Sequence, residues 1–296
     1  MPEIARNGAS IGPQMTMDAG SLGVWVWFQP KGNSERTPCF LTCYNVIASG
    51  EGDPERRKRN DIEGIGLKEA VGPNPIKVDY PAPFDAAVTK KDFESKIEKG
   101  DDLDKANTRS LEIFNQYMSE NGIGRVEYAS GVRKKQDDRR MDWALVVINN
   151  PKMFGQNSLP LQVWRPEELF NARLGQPKWS ENQIVSKIAP PKEGDWVAKS
   201  GRTTQARAGE VIAMKAKVTF SSHQLETSEI QVLNAMTGVP FAKDGDSGSI
   251  VVNYKGEWIG IVMAIDMHDE VTYIMSAKDI MDDIEKQTNG GTISLA

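Results

Sequence analysis

The sequence predicts a mainly β protein built from two β-barrels or a sandwich pair, with a helical insert and a C-terminal helix. Three observations predict it. Short runs rich in valine and aromatic residues recur in two groups. A stretch of helical periodicity interrupts the first group. The chain then closes on a segment with a helix-start signal. The 296 residues, 39% apolar and 26% charged, are enough for one large domain or two small ones with a proper core.

Taken in order, residues 1–19 read as irregular and polar. "GSLGVWVWF" (20–28) is a strand, and "TPCFLTCYNVI" (37–47) is a second that ends in a turn. Residues 48–88, with many Gly, Pro and charged residues, read as a long exposed loop. Its run "ERRKRN" (55–60) is expected to be a solvated surface, with binding of an acidic partner as the alternative. Thr89 with Asp92 resembles a helix start, Gly100 interrupts the segment, and Leu111, Phe114, Tyr117 and Met118 recur at helical spacing. The insert at about 48–122 therefore carries two helices that dock on the barrel.

"GRVEYAS" (124–130) and "MDWALVVI" (141–148) read as a hairpin with "RKKQDDRR" as its tip. Residues 161–190 read as a connector between an N-terminal barrel over 1–160 and a C-terminal barrel with its helix over 191–296. In the latter, "DWVAKSGRTT", "GEVIAMKAKVTF", "SEIQVLNAM", two strands after Ser247 and "VTYIM" supply the strands. Ser276 is placed to cap the final helix, with Asp279 at its third position.

Composition excludes several classes. A net charge of −5 argues against a nucleic-acid or anionic-membrane binder. No run of about 18 apolar residues is present, and the N-terminal stretch lacks a basic region followed by an apolar run, so the expectation is a cytoplasmic protein. Cys39 and Cys43 are the two cysteines. On a strand their α-carbons lie roughly 13 Å apart, against the ~7 Å limit of a disulfide, so free thiols are expected. With two histidines and two cysteines a zinc site has too few ligands, and no phosphate loop appears. No metal or cofactor is expected.

The chemistry concentrates in "FAKDGDSGSIVVNYKGEWIGIV" (241–262), a serine in a glycine turn followed by two strands. Glycines around a serine let successive amides point into one concavity, which suits an oxyanion. Gly245 and Ser247 would supply those amides, and Asp246 should turn away and be paired elsewhere. A polar turn between strands is the plain alternative.

Further strings stand in a fixed order: "LTCYNVI" (41–47), "GRVEYASGVR" (124–133), "DWALV" (142–146), "GRTT" (201–204) and "GDSGS" (245–249). With them the chain resembles the trypsin/chymotrypsin family of serine peptidases, and most of all intracellular fungal members. The resemblance implies two chymotrypsin-like β-barrels with a catalytic cleft between them. It assigns Ser247 as nucleophile, Asp142 as the carboxylate that orients the base, and Gly245 and Ser247 as oxyanion donors. The base position falls on Asn45, where the family has histidine.

A carboxamide does not titrate near neutral pH, whereas imidazole does so at about 6.5. Asn45 could hydrogen-bond both Ser247 and Asp142 but could not carry the proton. Neither His223 nor His268 stands where it would replace the base. Phe241, six residues before Ser247, occupies the position that is acidic in trypsin-like members. With Met263 and Ile265 it predicts an apolar and filled substrate pocket. The expectation is a catalytically impaired pseudoprotease with a degenerate triad, Asn45, Asp142 and Ser247. It would bind a polypeptide or a protein partner in the inter-barrel cleft. The alternative is a serine endopeptidase whose base was lost by engineered substitution or is supplied differently. A third reading is a regulatory module acting through the insert. If Asp246 is paired, an internal Lys or Arg is the expected partner.

Overall fold

A computed structural model describes residues 5–72, 74–99, 104–119, 122–135, 137–171, 173–180, 183–220, 225–266, 268 and 270–296. The first half holds strands β1 (Ser10–Pro13), β2 (Gly20–Ser21), β3 (Val24–Gln29) and β4 (Thr37–Cys43), then the short helix α1 (Tyr44–Ile47). Helix α2 (Pro54–Glu63), β5 (Lys77–Asp79), α3 (Pro83–Glu98) and α4 (Asp104–Ser119) form the insert. β6 (Gly124–Ala129), β7 (Arg133–Lys134), β8 (Arg140–Met141) and β9 (Trp143–Ile148) complete that half. The second half holds β10 (Trp196–Gly201), β11 (Gln205–Phe220), β12 (Leu225–Asn234), β13 (Ile250–Asn253), β14 (Trp258–Asp266), β15 (Val271–Ser276), α5 (Ala277–Gln287) and β16 (Thr292–Leu295).

Two curled sheets result. The first is eight-stranded, in the order β16-β3-β4-β9-β6-β5-β1-β2; the second is a closed barrel, β10-β11-β12-β15-β14-β13. The mainly β double-barrel architecture expected from the sequence is the one observed. Valine and aromatic content drives β3, where Val24, Trp25 and Val26 are fully buried. Each such side chain contributes roughly 1.5–3 kcal/mol of burial. One apolar cluster spans both halves, from Val24 and Phe40 to Ile250 and Trp258. Cys39 and Cys43 are buried free thiols in β4.

Register then sets the site. β4 and β9 pair Cys43 with Trp143, so the residues just beyond, Tyr44 and Asn45 on one side and Asp142 on the other, meet at the sheet end. The Tyr44 amide donates to the Asp142 carbonyl at 2.9 Å. The chain turns into α1 at Tyr44, so strand alternation no longer governs which way Asn45 faces.

Two expectations are corrected. Residues 48–88 are not all loop: "ERRKRN" lies in α2, which starts at Pro54 with the Asp53 carboxylate accepting from the amides of Glu55 and Arg56. Its bases mostly face acids of the same segment, Arg56 on Glu51, Arg57 on Asp61 and Lys58 on Glu55. The first insert helix starts at Pro83, not Thr89, whose hydroxyl instead donates back to the Asp85 carbonyl inside the helix. The last strand, β16, crosses back to pair with β3 and so belongs to the first sheet. The Gly100 interruption falls outside the described residues. The Ser276 cap on α5 is as expected, accepting from the Asp279 amide at 3.1 Å. Among the described residues, no helix is long and apolar enough to cross a membrane, and no cluster of metal-ligating side chains occurs.

Candidate active site

The turn carrying Ser247 leads into β13 and packs against the end of β4. Gly245 and Gly248 take φ of +91° and +92°, which glycine alone adopts without strain. A β-carbon on Gly248 would lie 2.3 Å from the Thr42 hydroxyl, so the turn sits directly on the strand that leads to Asn45. The carbonyl of Ser247 accepts from the Ser21 amide at 2.9 Å. The Cys43 thiol donates to the Val262 carbonyl at 3.1 Å, joining β4 to β14 across the barrels. Burial, then the nearby Asp142 charge, pushes that thiol well above its ordinary value, so it is neither nucleophile nor base.

Asp246 is fully buried. Its carboxylate meets the Lys199 ammonium at 3.0 Å and accepts from the Thr204 hydroxyl at 2.6 Å. The amides of Thr203, Thr204 and Lys243 donate to it at 2.8, 3.1 and 3.0 Å. The partner is an internal lysine, as expected for this carboxylate. Burial alone would raise Asp246; the ammonium and these donors outweigh it and hold the carboxyl below its ordinary range. Burial pulls Lys199 down to about 8 against the attraction of Asp246.

With Asp246 so fixed, the turn presents its amides. Asp246, Gly248 and Ser249 donate to the carbonyls of Lys243, Val262 and Asp246. Among the described residues the amides of Gly245 and Ser247 have no acceptor, the condition an oxyanion site requires. Ser247 is half-buried, and its hydroxyl makes no hydrogen bond among the described residues.

Asp142 is fully buried. One carboxylate oxygen accepts from the Asn45 main-chain amide at 2.9 Å; the other meets the Arg140 guanidinium at 2.5 Å. Asn45 is exposed, and its carboxamide bonds neither Ser247 nor Asp142 among the described residues. The side-chain bridge that Asn45 could make is therefore not formed among the described residues.

Phe241 and Met263 are fully buried core residues. Ile265 lines an open cavity of about 230 Å³ beside Ala242 and Lys243, with Asp266 and Glu270 also in its wall. Of the three residues expected to form a substrate pocket, Ile265 alone lines this cavity, while Phe241 and Met263 lie in the core. His268 is exposed, its amide donating to Asp266 at 2.9 Å; His223 falls outside the described residues.

Sequence reasoning missed three features: Arg140 on Asp142, Lys199 by name, and a link from the insert. Arg202 of "GRTT" forms a two-pronged pair with Asp85 of α3 at 2.6 Å on each nitrogen. Its amide donates to the Ser21 hydroxyl at 2.9 Å, and that hydroxyl donates to the Gly245 carbonyl at 3.0 Å. These pairings join residues far apart in sequence, and no local string signals them.

No protein-family model matches the chain, and no curated protein matches it in sequence. Solved structures do match. A glutamic acid specific serine protease that uses a histidine triad in substrate binding aligns at 11% identity and TM-score 0.51, over 99% of this chain and 100% of that one. Protease A of Thermobifida fusca aligns at 12% identity and TM-score 0.48, over 98% of each chain. A chymotrypsin from Cellulomonas bogoriensis aligns at 12% identity and TM-score 0.46, over 98% and 97%. The first carries the comparison, and at that identity it speaks to fold alone. The chain has the two-barrel fold of the chymotrypsin-like serine proteases.

Proposed function

We propose that the protein is a pseudoprotease, a trypsin-like serine protease homologue with the degenerate triad Asn45, Asp142 and Ser247. It binds polypeptide in the cleft between its barrels without appreciable hydrolysis. The observation that carries this reading is the Asn45 main-chain amide donating to Asp142 at 2.9 Å, which supports assigning Asn45, a residue with no titratable side chain, to the base position. Loss of the base in a serine protease costs on the order of a million-fold in turnover. The retained oxyanion amides and the open cavity at Ile265 supply binding groups for an extended chain and a side chain.

A second reading, an endopeptidase with its base supplied from elsewhere, is favoured by the intact Ser247 turn and its unbonded amides. Labelling with a fluorophosphonate separates the two. The unaltered chain is expected to label no faster than a Ser247→Ala variant, and to retain members of a peptide mixture that it leaves uncut. Labelling or cleavage that depends on Ser247 would overturn the binding reading and establish the second. The fungal affinity and a cytoplasmic location are further parts of the proposal.

A further inference from the structure

We propose that Arg140 is the fixed counter-ion of Asp142, so that the cleft is closed to base catalysis at two positions, Asn45 and Arg140, rather than one. This rests on the assignment of Asn45 to the base position made above.

A carboxylate as buried as Asp142 requires a positive partner. In a working Ser-His-Asp site that partner is the imidazolium, which forms only during the reaction. Here it is a guanidinium that does not deprotonate. Arg140 is held on three sides. Its Nη2 donates to Asp142 at 2.5 Å. Its guanidinium carbon lies 4.5 Å from the centroid of the Phe220 ring. Its main-chain amide donates to the Glu229 carboxylate of β12 at 2.9 Å. Its Nε is buried without an acceptor among the described residues, so the side chain is placed by Asp142 and Phe220 and not by the best use of its donors.

Among the described residues, the other titratable groups facing the pair, Glu229, Cys43 and Tyr44, do not replace this contact. Burial raises Glu229, which weakens it as a rival counter-ion. Cys43 of β4 and Tyr44 of α1 are both raised, first by burial, and stay neutral near pH 7. Tyr44 donates to Asp61 at 2.7 Å, and Asp61 pairs with Arg57. One oxygen of Asp142 is thus committed to the backbone of Asn45 and the other to Arg140. A histidine introduced at position 45 meets a carboxylate whose charge is already neutralised.

The test reads the introduced ring directly. Asn45→His, Asn45→His/Arg140→Gln and Asn45→His/Arg140→Lys are titrated by NMR, and the new imidazole is separated from His223 and His268 by its absence in the unaltered chain. In Asn45→His the ring is expected to titrate at or below about 6.5, without the far-downfield Nδ1 proton of an imidazole bonded to a carboxylate. Arg140→Gln should raise its pKa by about one unit or more, and Arg140→Lys should leave it low. Equal values with and without Arg140, or a downfield Nδ1 proton in Asn45→His alone, overturn the proposal. Should the Arg140→Gln pair fail to fold, the Nδ1 proton of Asn45→His, where Arg140 is intact, still decides. The titration is indifferent to whether Ser247 labels, so failure here is distinguishable from failure of the binding reading.

Discussion

Lys199 shows how a single buried residue braces the Ser247 turn through its neighbour Asp246. Its ammonium and the Asp246 carboxylate are both fully buried and 3.0 Å apart. Removing one partner strands the other in the interior. Lys199→Met is expected to cost about 3–5 kcal/mol in urea unfolding, whereas Lys199→Arg keeps the charge. The pair also sets a pH dependence. Lys199 titrates at about 8 in the folded chain against 10.5 ordinarily. Between these values the unfolded chain holds a proton that the folded chain has released. The stability contributed at this position therefore rises with pH across that window, while the salt bridge ordering the turn is lost. Relative to Lys199→Arg, which does not titrate there, the unaltered protein should gain unfolding free energy from pH 8 to 10.5. Parallel stability curves for the two proteins would refute this. Ser247, Asp142 and Asn45 stand out in the sequence because each lies in a contiguous string. Lys199 and Arg140 were not assigned their partners, because those partners come from distant elements.

Among the elements, α5 is fastened to the first half by more than its cap. Asp283 is buried and accepts from Trp143 Nε1 at 2.7 Å and from the Arg133 guanidinium. Lys135 reaches Asp279 at 2.9 Å. Ser276→Ala removes one capping acceptor and should cost about 1 kcal/mol. Asp283→Ala leaves an indole donor and a mostly buried guanidinium unpaired and should cost about 3–5 kcal/mol. Thermal unfolding of the two variants side by side checks the order; similar losses would show that Asp283 contributes no more than a cap. The strands and α5 were legible because alternation and capping are local signals. α2 was hidden because its sequence, PERRKRNDIE, offers almost no apolar face, and its support comes from the Asp53 cap and Glu51. α3 was placed too late because Thr89 and Asp92 imitate a helix start, while the real one is set by Pro83 and by Asp85 docking on Arg202.

At the scale of the whole molecule, the two halves are tied by chain crossing as well as by packing. β16 leaves the helix of the second half and pairs with β3 of the first, Thr292 against Gln29 through Leu295 against Val26. The Ala296 amide then donates to the Trp25 carbonyl at 3.1 Å. Ile293 is buried in the cluster that spans both barrels. That side chain alone contributes roughly 1.5–3 kcal/mol, and β16 also covers the outer edge of β3. In the full chain this continuity makes unfolding one event. Tryptophan fluorescence, which reports Trp25 and Trp143 in one half and Trp196 and Trp258 in the other, should follow the same curve as far-ultraviolet circular dichroism. Deleting residues 292–296 removes the crossing strand and exposes the β3 edge, but leaves the inter-barrel contacts at Cys43 and Gly248 in place. The expected result is a midpoint lower by the loss of that burial, with the two probes separating as the first sheet melts ahead of the closed barrel. If the shortened chain instead unfolds at the same midpoint with coincident probes, the barrels are coupled through their facing surfaces alone. The C-terminal strand is then an ornament of the first sheet and not its clasp.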